Sequence, residues 1–449
     1  MRGLPAAVAV FFSLSLACAY AADGDPDPSF GSGGMQRFEA VHAYGEPAVT
    51  VDADGRIVVC DGDQRDIATD YDLLIERFNA DGSPDITFGV GGETTLSFDD
   101  QGVEDLCSAI ALQQDGAIVV AGVREFPGFG TRDPYFLVAR LTAGGVLDAT
   151  FAGGAGYTVF PYEVFGLGGA TAVAIDASGR IIVAGGSQPD VGNEDFAIAR
   201  LMPDGTFDAT FSGSGSETIG FFSSLSYDYA THVATDAEGR IVLAGNAGGE
   251  TALVRLLDDG TLDPTFGSGG SALLPAGPGS QGFVIDHAGR LLVAGSVPSP
   301  NDNQNADFAA ARLLADGSLD TSFGNGGIAS IAFDLADGGG GRDGASAIVE
   351  QSDGKLVLLG SAEYGDLMYN RNAAARLLDD GTLDPSFGNG GKITFAFGLA
   401  MPSDDWLSGA ALDGGHVIVV GRAGQGEGGI VDDIVARLES DLVFRATFE

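Results

Sequence analysis

Basic residues are scarce in this 449-residue chain: 22 Lys and Arg stand against 63 Asp and Glu, for a formal charge of −41. That balance argues against a nucleic-acid surface, which needs clustered Lys and Arg to displace phosphate counterions. Histidine is rarer still. His42, His232, His287 and His416 show no His-x-x-x-His spacing, so no zinc site is expected. Trp406 is the single tryptophan, which weakens the case for a sugar-stacking groove, although ten Tyr remain. The sequence has no Gly-x-Ser-x-Gly elbow and no Gly-rich phosphate loop ending in Lys followed by Ser or Thr. Nowhere does an uninterrupted apolar run reach the ~18 residues of a membrane helix. Charged residues total 19% and hydrophobic ones 45%, too apolar for wholesale disorder.

The N-terminus reads Met1-Arg2, an apolar stretch over 4–17, then small residues through Ala19-Tyr20-Ala21. This pattern predicts a secretory signal peptide over 1–21 and a mature chain, 22–449, that is secreted or periplasmic without a membrane span. Cys18, after Ser15-Leu16-Ala17, offers lipoprotein anchoring as a lesser alternative. Cleavage leaves Cys60 and Cys107, an even pair in an oxidising compartment. A bridge between neighbouring repeats and two small buried residues are both open readings.

Glycine is abundant, 71 residues, and it marks a repeat. The phrase Asp-x-x-Phe followed by a Gly-rich tetrad recurs at 27–34, 85–92, 148–155, 208–215, 263–270, 320–327 and 384–391. Its phenylalanines, from Phe30 and Phe88 to Phe387, are 55 to 64 residues apart, and a degenerate step ends at Phe448. Seven units of about sixty residues thus form one domain over 22–449. Within each unit lies a hairpin pattern, as in Val173-Ala174-Ile175-Asp176-Ala177-Ser178-Gly179-Arg180-Ile181-Ile182-Val183, with Asp and Gly supplying the turn. The second, unbroken apolar run means a strand covered on both faces. A third strand ends in Arg (Arg77, Arg140, Arg200, Arg255, Arg312, Arg376, Arg437), and a fourth follows each Gly-Gly. The expected fold is all-β: a seven-bladed β-propeller of four-stranded, ~60-residue repeats, closed so that no apolar face is exposed. A linear solenoid is the structural alternative. A monomer is expected.

Six of these arginines precede the Asp of the next phrase by eight residues, from Arg77 and Asp85 to Arg376 and Asp384, which suggests a repeated salt bridge across the long turn between blades. Arg437 has no such Asp after it, and Asp27 no such Arg before it. These two would complete each other if the N-terminal segment docked on the last blade; the rival is that 444–449 is a simple tail.

The stretches 77–92, 312–327 and 376–391 resemble the delta-60 repeat family of exported bacterial proteins. Ala152 and Ser212 depart from its first Gly and Phe207 from its usual Leu. The resemblance implies a propeller-like architecture and an exported setting, and carries over no catalytic residue.

No catalytic, cofactor or metal residues are assigned, and no cofactor is expected. Calcium is the sharpest possibility, because Asn79, Asp81 and Asp85 cluster oxygen ligands around Gly82, as do Asp258, Asp259 and Asp263 around Gly260. Turns demand the same Asp and Gly residues for geometry alone. Loop length is the remaining signal. In a four-stranded blade, the hairpin turn and the phrase stay constant, whereas 122–134, 161–169, 296–307, 334–344 and 361–372 vary. All five should fall on one face, and a rigid scaffold carries binding on such loops. The expected function is non-enzymatic binding or scaffolding of a protein or glycan partner through that face. The alternatives are an extracellular hydrolase or lyase at the propeller channel, or a structural surface or adhesion component.

Overall fold

The computed structural model describes residues 24–38, 44–63, 71–98, 103–127, 132–160, 168–190, 193–222, 226–299, 302–335, 341–364, 369–397, 403–425 and 431–439. The expected signal peptide, Cys18, His42 and the tail with Phe448 lie outside these residues.

After a short strand β1 (Met35–Phe38), seven antiparallel blades follow in chain order. Blade 1 holds β2 (Tyr44–Val51), β3 (Ile57–Asp63), β4 (Asp72–Phe78) and β5 (Glu93–Leu96). Blade 2 holds β6 (Glu104–Leu112), β7 (Ile118–Pro127), β8 (Arg132–Leu141) and β9 (Tyr157–Phe160). Blade 3 holds β10 (Ala170–Ile175), β11 (Ile181–Asp190), β12 (Asn193–Leu201) and β13 (Ser216–Ile219). In blade 4 these are β14 (Tyr229–Thr235), β15 (Ile241–Ala247), β16 (Glu250–Leu256) and β17 (Ser271–Leu274). Blade 5 has β18 (Gly282–Ile285), β19 (Leu291–Ser299), β20 (Asp302–Leu313) and β21 (Ile328–Ile331). Blade 6 has β22 (Asp343–Glu350), β23 (Leu356–Tyr364), β24 (Tyr369–Leu377) and β25 (Lys392–Phe395). Blade 7 supplies β26 (Ser403–Asp413), β27 (His416–Gln425) and β28 (Val431–Leu438), and its fourth strand is β1.

The phrase is not the connection between blades. The short strand after each Gly-Gly pairs with the strand that ends in Arg, as Glu93 opposite Glu76 and Leu96 opposite Leu73 show, so the phrase joins the third and fourth strands of one blade. Backbone pairing fixes this assignment, which sequence spacing leaves open.

Strand alternation explains the unbroken apolar runs. Along β11, Ile181 and Val183 pack with Val119 and Val138 of blade 2, while Ile182 and Ala184 pack with Leu243 and Val254 of blade 4. Each sheet is thus buried on both faces, and both parities of a strand must be apolar.

The glycine that closes each run is a requirement of close approach. Strand 1 carries a β-bulge in most blades, and strand 2 passes beneath it. A Cβ at Gly122 would lie 1.9 Å from the Leu106 carbonyl oxygen, and one at Gly245 2.1 Å from that of Tyr229. In blades 3, 4 and 7 the bulge residue is a hydroxyl that ties blades together: Thr171 donates to the Ala230 carbonyl (2.7 Å), Thr231 to Ser280 (2.7 Å) and Ser408 to Pro47 (2.8 Å).

Ring closure unites the two ends of the chain. Strand β1 pairs with β28 from Met35 opposite Ala436 to Phe38 opposite Asp433. Arg437 Nε donates to Asp27 at 2.7 Å, so the unmatched Arg and the unmatched Asp do meet. Cys60 of blade 1 and Cys107 of blade 2 form a disulfide, Cα atoms 6.0 Å apart, which decides between the two readings of that pair.

Candidate functional site

Each phrase works as a staple between blades. Its Asp carboxylate caps the residue two positions on, as Asp85 Oδ1 accepts from the Thr87 backbone and hydroxyl, while Oδ2 accepts from the strand-final arginine at 2.8 Å. The same Nε contact, 2.7 to 2.9 Å, occurs in all seven blades. Among the described residues, the arginine of six blades also donates to a carbonyl in the next blade: Ala143, Pro203, Asp258, Ala315, Asp379 or Ala80. Under every guanidinium lies the phrase Phe, 4.5 to 5.2 Å from ring centre, a cation–π stack. Burial works to raise the Asp85 carboxyl, but hydrogen bonds from Thr87 and the charge of Arg77 outweigh it and hold it low. At Asp384, where Lys355 joins Arg376 and Ser386 against the same burial, the value falls to about 2.

These contacts account for the residues that suggested calcium. Asp81 Oδ1 caps Ser83, the Asn79 amide donates to the Ser83 hydroxyl, and Asp85 serves Thr87 and Arg77. Asp259 caps Thr261 and Asp263 caps Thr265, while Asp258 meets Arg180 and Arg200. The phrase phenylalanines are core, fully buried or nearly so.

Strand alternation puts the hairpin turns and phrases on one face of the ring, and the described ends of 122–134, 161–169, 296–307, 334–344 and 361–372 on the opposite face, while 128–131, 161–167, 300–301, 336–340 and 365–368 lie outside the described residues. There the second and third strands rise as ribbons, paired out to Pro127 and Arg132 in blade 2, Ser299 and Asp302 in blade 5, and Tyr364 and Tyr369 in blade 6. Blade 4 stops short at a two-residue Gly248-Gly249 turn with positive φ at both positions, and leaves a notch. Phe222, 42% exposed, packs close to Gly248, and Tyr227 nearby is 64% exposed. Arg371 lies over the Tyr364 ring at 4.8 Å, and Phe126 meets Tyr135 edge-on at 5.0 Å.

Beneath this face lies a set of buried carboxylates that sequence reading missed. Asp228, Asp343 and Asp405, at or beside the start of the inner strands, accept the backbone N–H of Phe221 (3.1 Å), Phe333 (2.7 Å) and Phe397 (3.0 Å), fixing the turn into each blade. Their signal was an Asp three residues before the bulge hydroxyls Thr231, Ser346 and Ser408. Burial, with Asp307 and Asp334 nearby, pushes Asp343 up to about 6, and burial with the Asp228 charge pushes Glu194 to about 7. At the seam between blades 7 and 1, Arg422 bridges Asp433 (2.8 Å) and Asp61 (2.7 Å), both buried. Asp61 stands where six blades carry the glycine beneath the bulge. Burial and the neighbouring Asp433 charge hold its carboxyl well above the usual range.

The central channel encloses about 280 Å³, lined by one short segment from each blade. Six blades present Ala or Gly next to the bulge residue, such as Ala109 and Gly282, and blade 4 presents His232. Because Thr231 gives its proton to Ser280, His232 Nδ1 donates to Thr231 Oγ1 (3.0 Å). Burial lowers His232 to about 4, so the imidazole is neutral at pH 7.

Six segments, 53–88, 113–151, 177–211, 237–266, 289–323 and 351–387, match the model of a β-propeller domain of unknown function, DUF5122. Each runs from a hairpin turn to a phrase Phe, the unit just described. The chain is a β-propeller repeat protein. Its seventh blade escapes the match because that blade's phrase stands at the other end of the chain. No curated protein matches the propeller in sequence. Among solved structures, it is similar to a Dyadobacter fermentans protein of unknown function (13% identity, TM-score 0.45, covering 91% of this chain and 99% of that one). It is also similar to the polysaccharide lyase Uly1 (10%, TM-score 0.47, 96% of each chain). A third similarity is to Trypanosoma rangeli sialidase (9%, TM-score 0.42, 92% of this chain and 61% of that one). At such identities these likenesses concern the fold alone.

Proposed function

We propose that the propeller has a non-enzymatic binding or scaffolding role and meets a protein or glycan partner through its variable-loop face. One observation carries this reading: seven repeated Arg–Asp–Phe staples hold the phrase face, whereas the opposite face raises ribbons of unequal length around a notch, with Phe222 and Tyr227 exposed on the connection beside it. Exposed aromatics with a polar rim are the usual anchors of such surfaces. A chain of −41 charge repels polyanions, so neutral or basic partners are favoured. The acid pair held by Arg422 at the seam is shut in: Asp61 and Asp433 are 1% and 0% exposed.

The test is to cut the blade 5 and blade 6 ribbons back to a Gly-Gly turn of the blade 4 kind. Wild type and variant are compared for binding to xylan, chitosan and a panel of basic proteins, with reducing ends measured in parallel. Binding that disappears in a still-folded variant supports the proposal. New reducing ends would replace it with the hydrolase or lyase reading, and binding that survives trimming would move the site elsewhere.

A further inference from the structure

In three blades the phrase carboxylate faces two cations, and in blade 2 the position of the second is held by Ala117. In blades 3, 4 and 6 the first residue after the hairpin turn brings a second positive charge beside the strand-final arginine: Arg180 to Asp208 (3.7 Å), Arg240 to Asp263 (4.0 Å) and Lys355 to Asp384 (3.2 Å). At the seam that position is His416, which supplies no fixed charge. Two residues after the strand-final arginine, the other six blades carry neutral side chains, from Asn79 to Leu378, and the seam carries Glu439. Both changes fall in the one blade assembled from the two ends of the chain.

The N-terminal segment fixes their geometry. Backbone bonds from Gly24 to the Glu439 carbonyl (2.9 Å) and from Glu439 to that of Asp25 (2.8 Å) lay residues 24–27 along the end of β28. The donor atoms of Asp27, His416 and Glu439 all come within 4.8 Å of one another. His416 Nδ1 is buried and has no hydrogen-bond partner. Burial and the Asp27 charge both raise the Glu439 carboxyl.

We propose that Asp27, His416 and Glu439 bind a divalent transition cation of the zinc type, which takes the place of the missing second cation and staples the chain termini where the ring closes. One imidazole nitrogen and two carboxylate oxygens are a standard donor set for such an ion, with a fourth position left to water. Bonds of about 2.1 Å require the donors to close from within 4.8 Å to about 3.4 Å, a movement of up to about 1.4 Å for the most distant pair. Arg437 stays as the partner that orients the Asp27 carboxylate.

Untagged, chelator-treated protein is titrated with Zn2+ by calorimetry and thermal shift, and with Co2+ by visible absorption. Wild type should take up one ion per chain with a rise in Tm. His416→Arg, which copies blades 1, 3, 4 and 5, should abolish uptake while raising the metal-free Tm, and Glu439→Gln should weaken uptake at least tenfold. Absence of saturable uptake by wild type, or undiminished uptake by His416→Arg, overturns the proposal. Should His416→Arg misfold, Glu439→Gln and the Co2+ spectrum of wild type decide it.

Discussion

Asp343→Asn should stabilise the propeller at neutral and alkaline pH. The carboxyl is 3% exposed, Oδ2 accepts the Phe333 N–H, Oδ1 has no partner, and Asp307 and Asp334 add negative charge nearby. Burial first, then those charges, raise it from 3.8 to about 6. Because the folded value lies above the unfolded one, the fold prefers the protonated acid. Stability is therefore full below the unfolded value, falls as pH rises towards 6, and stays reduced above it. A shift of about two units at 1.36 kcal/mol each gives a loss of about 3 kcal/mol at pH 8 and roughly half of that at pH 5. Asparagine keeps the oxygen for Phe333, gives up the charge, and can donate towards Asp307. Urea unfolding of both proteins at pH 5 and pH 8 avoids precipitation near the sequence pI of about 4.1. The variant should gain about 2–3 kcal/mol at pH 8 and about half as much at pH 5. An equal gain at both values, or a loss at pH 8, would refute the electrostatic reasoning.

Arg437→Met leaves the Asp27 carboxylate beside Glu439 without its cation, and should cost about 3 kcal/mol; limited proteolysis should then clip the N-terminal segment well before the blades unfold. Replacing Cys60 and Cys107 together by Ala opens a loop of 47 residues, worth about 4 kcal/mol by chain entropy, and the chemical-denaturation midpoint should fall accordingly. Gly245→Ala drives a methyl to 2.1 Å from the Tyr229 carbonyl and to 2.6 Å from Phe196, so a loss of about 1–3 kcal/mol is expected from overpacking. An unchanged midpoint for that variant would mean the bulge yields.

The repeat phrase made the architecture legible because it answers one local demand seven times. Asp85 must cap Thr87, Phe88 must lie under Arg77, and Gly89 must approach the next blade closely enough to donate to the Gly144 carbonyl. The eight-residue Arg–Asp spacing predicted six ion pairs, and the two unmatched residues predicted the seventh, which closes the ring. Sequence misplaced the phrase between blades, because spacing says which residues recur and not which strands exchange hydrogen bonds. Nor could it reveal the acid pair around Arg422. Asp61, Arg422 and Asp433 are separated by hundreds of residues or by one strand turn, and become neighbours through ring closure.

By itself, the sequence determined the number of blades, the two-sided burial of each sheet, and the grouping of variable loops on one face. All three follow from periodicity and from turn chemistry, which act over a few residues. The tertiary structure decided which side chains meet between blades: the Cys60–Cys107 bridge from blade 1 to blade 2 and, at the seam, the acid pair on Arg422 and the convergence of Asp27, His416 and Glu439. Those neighbours are set by how a ring shuts upon itself, and a circular closure brings together residues that no linear spacing relates.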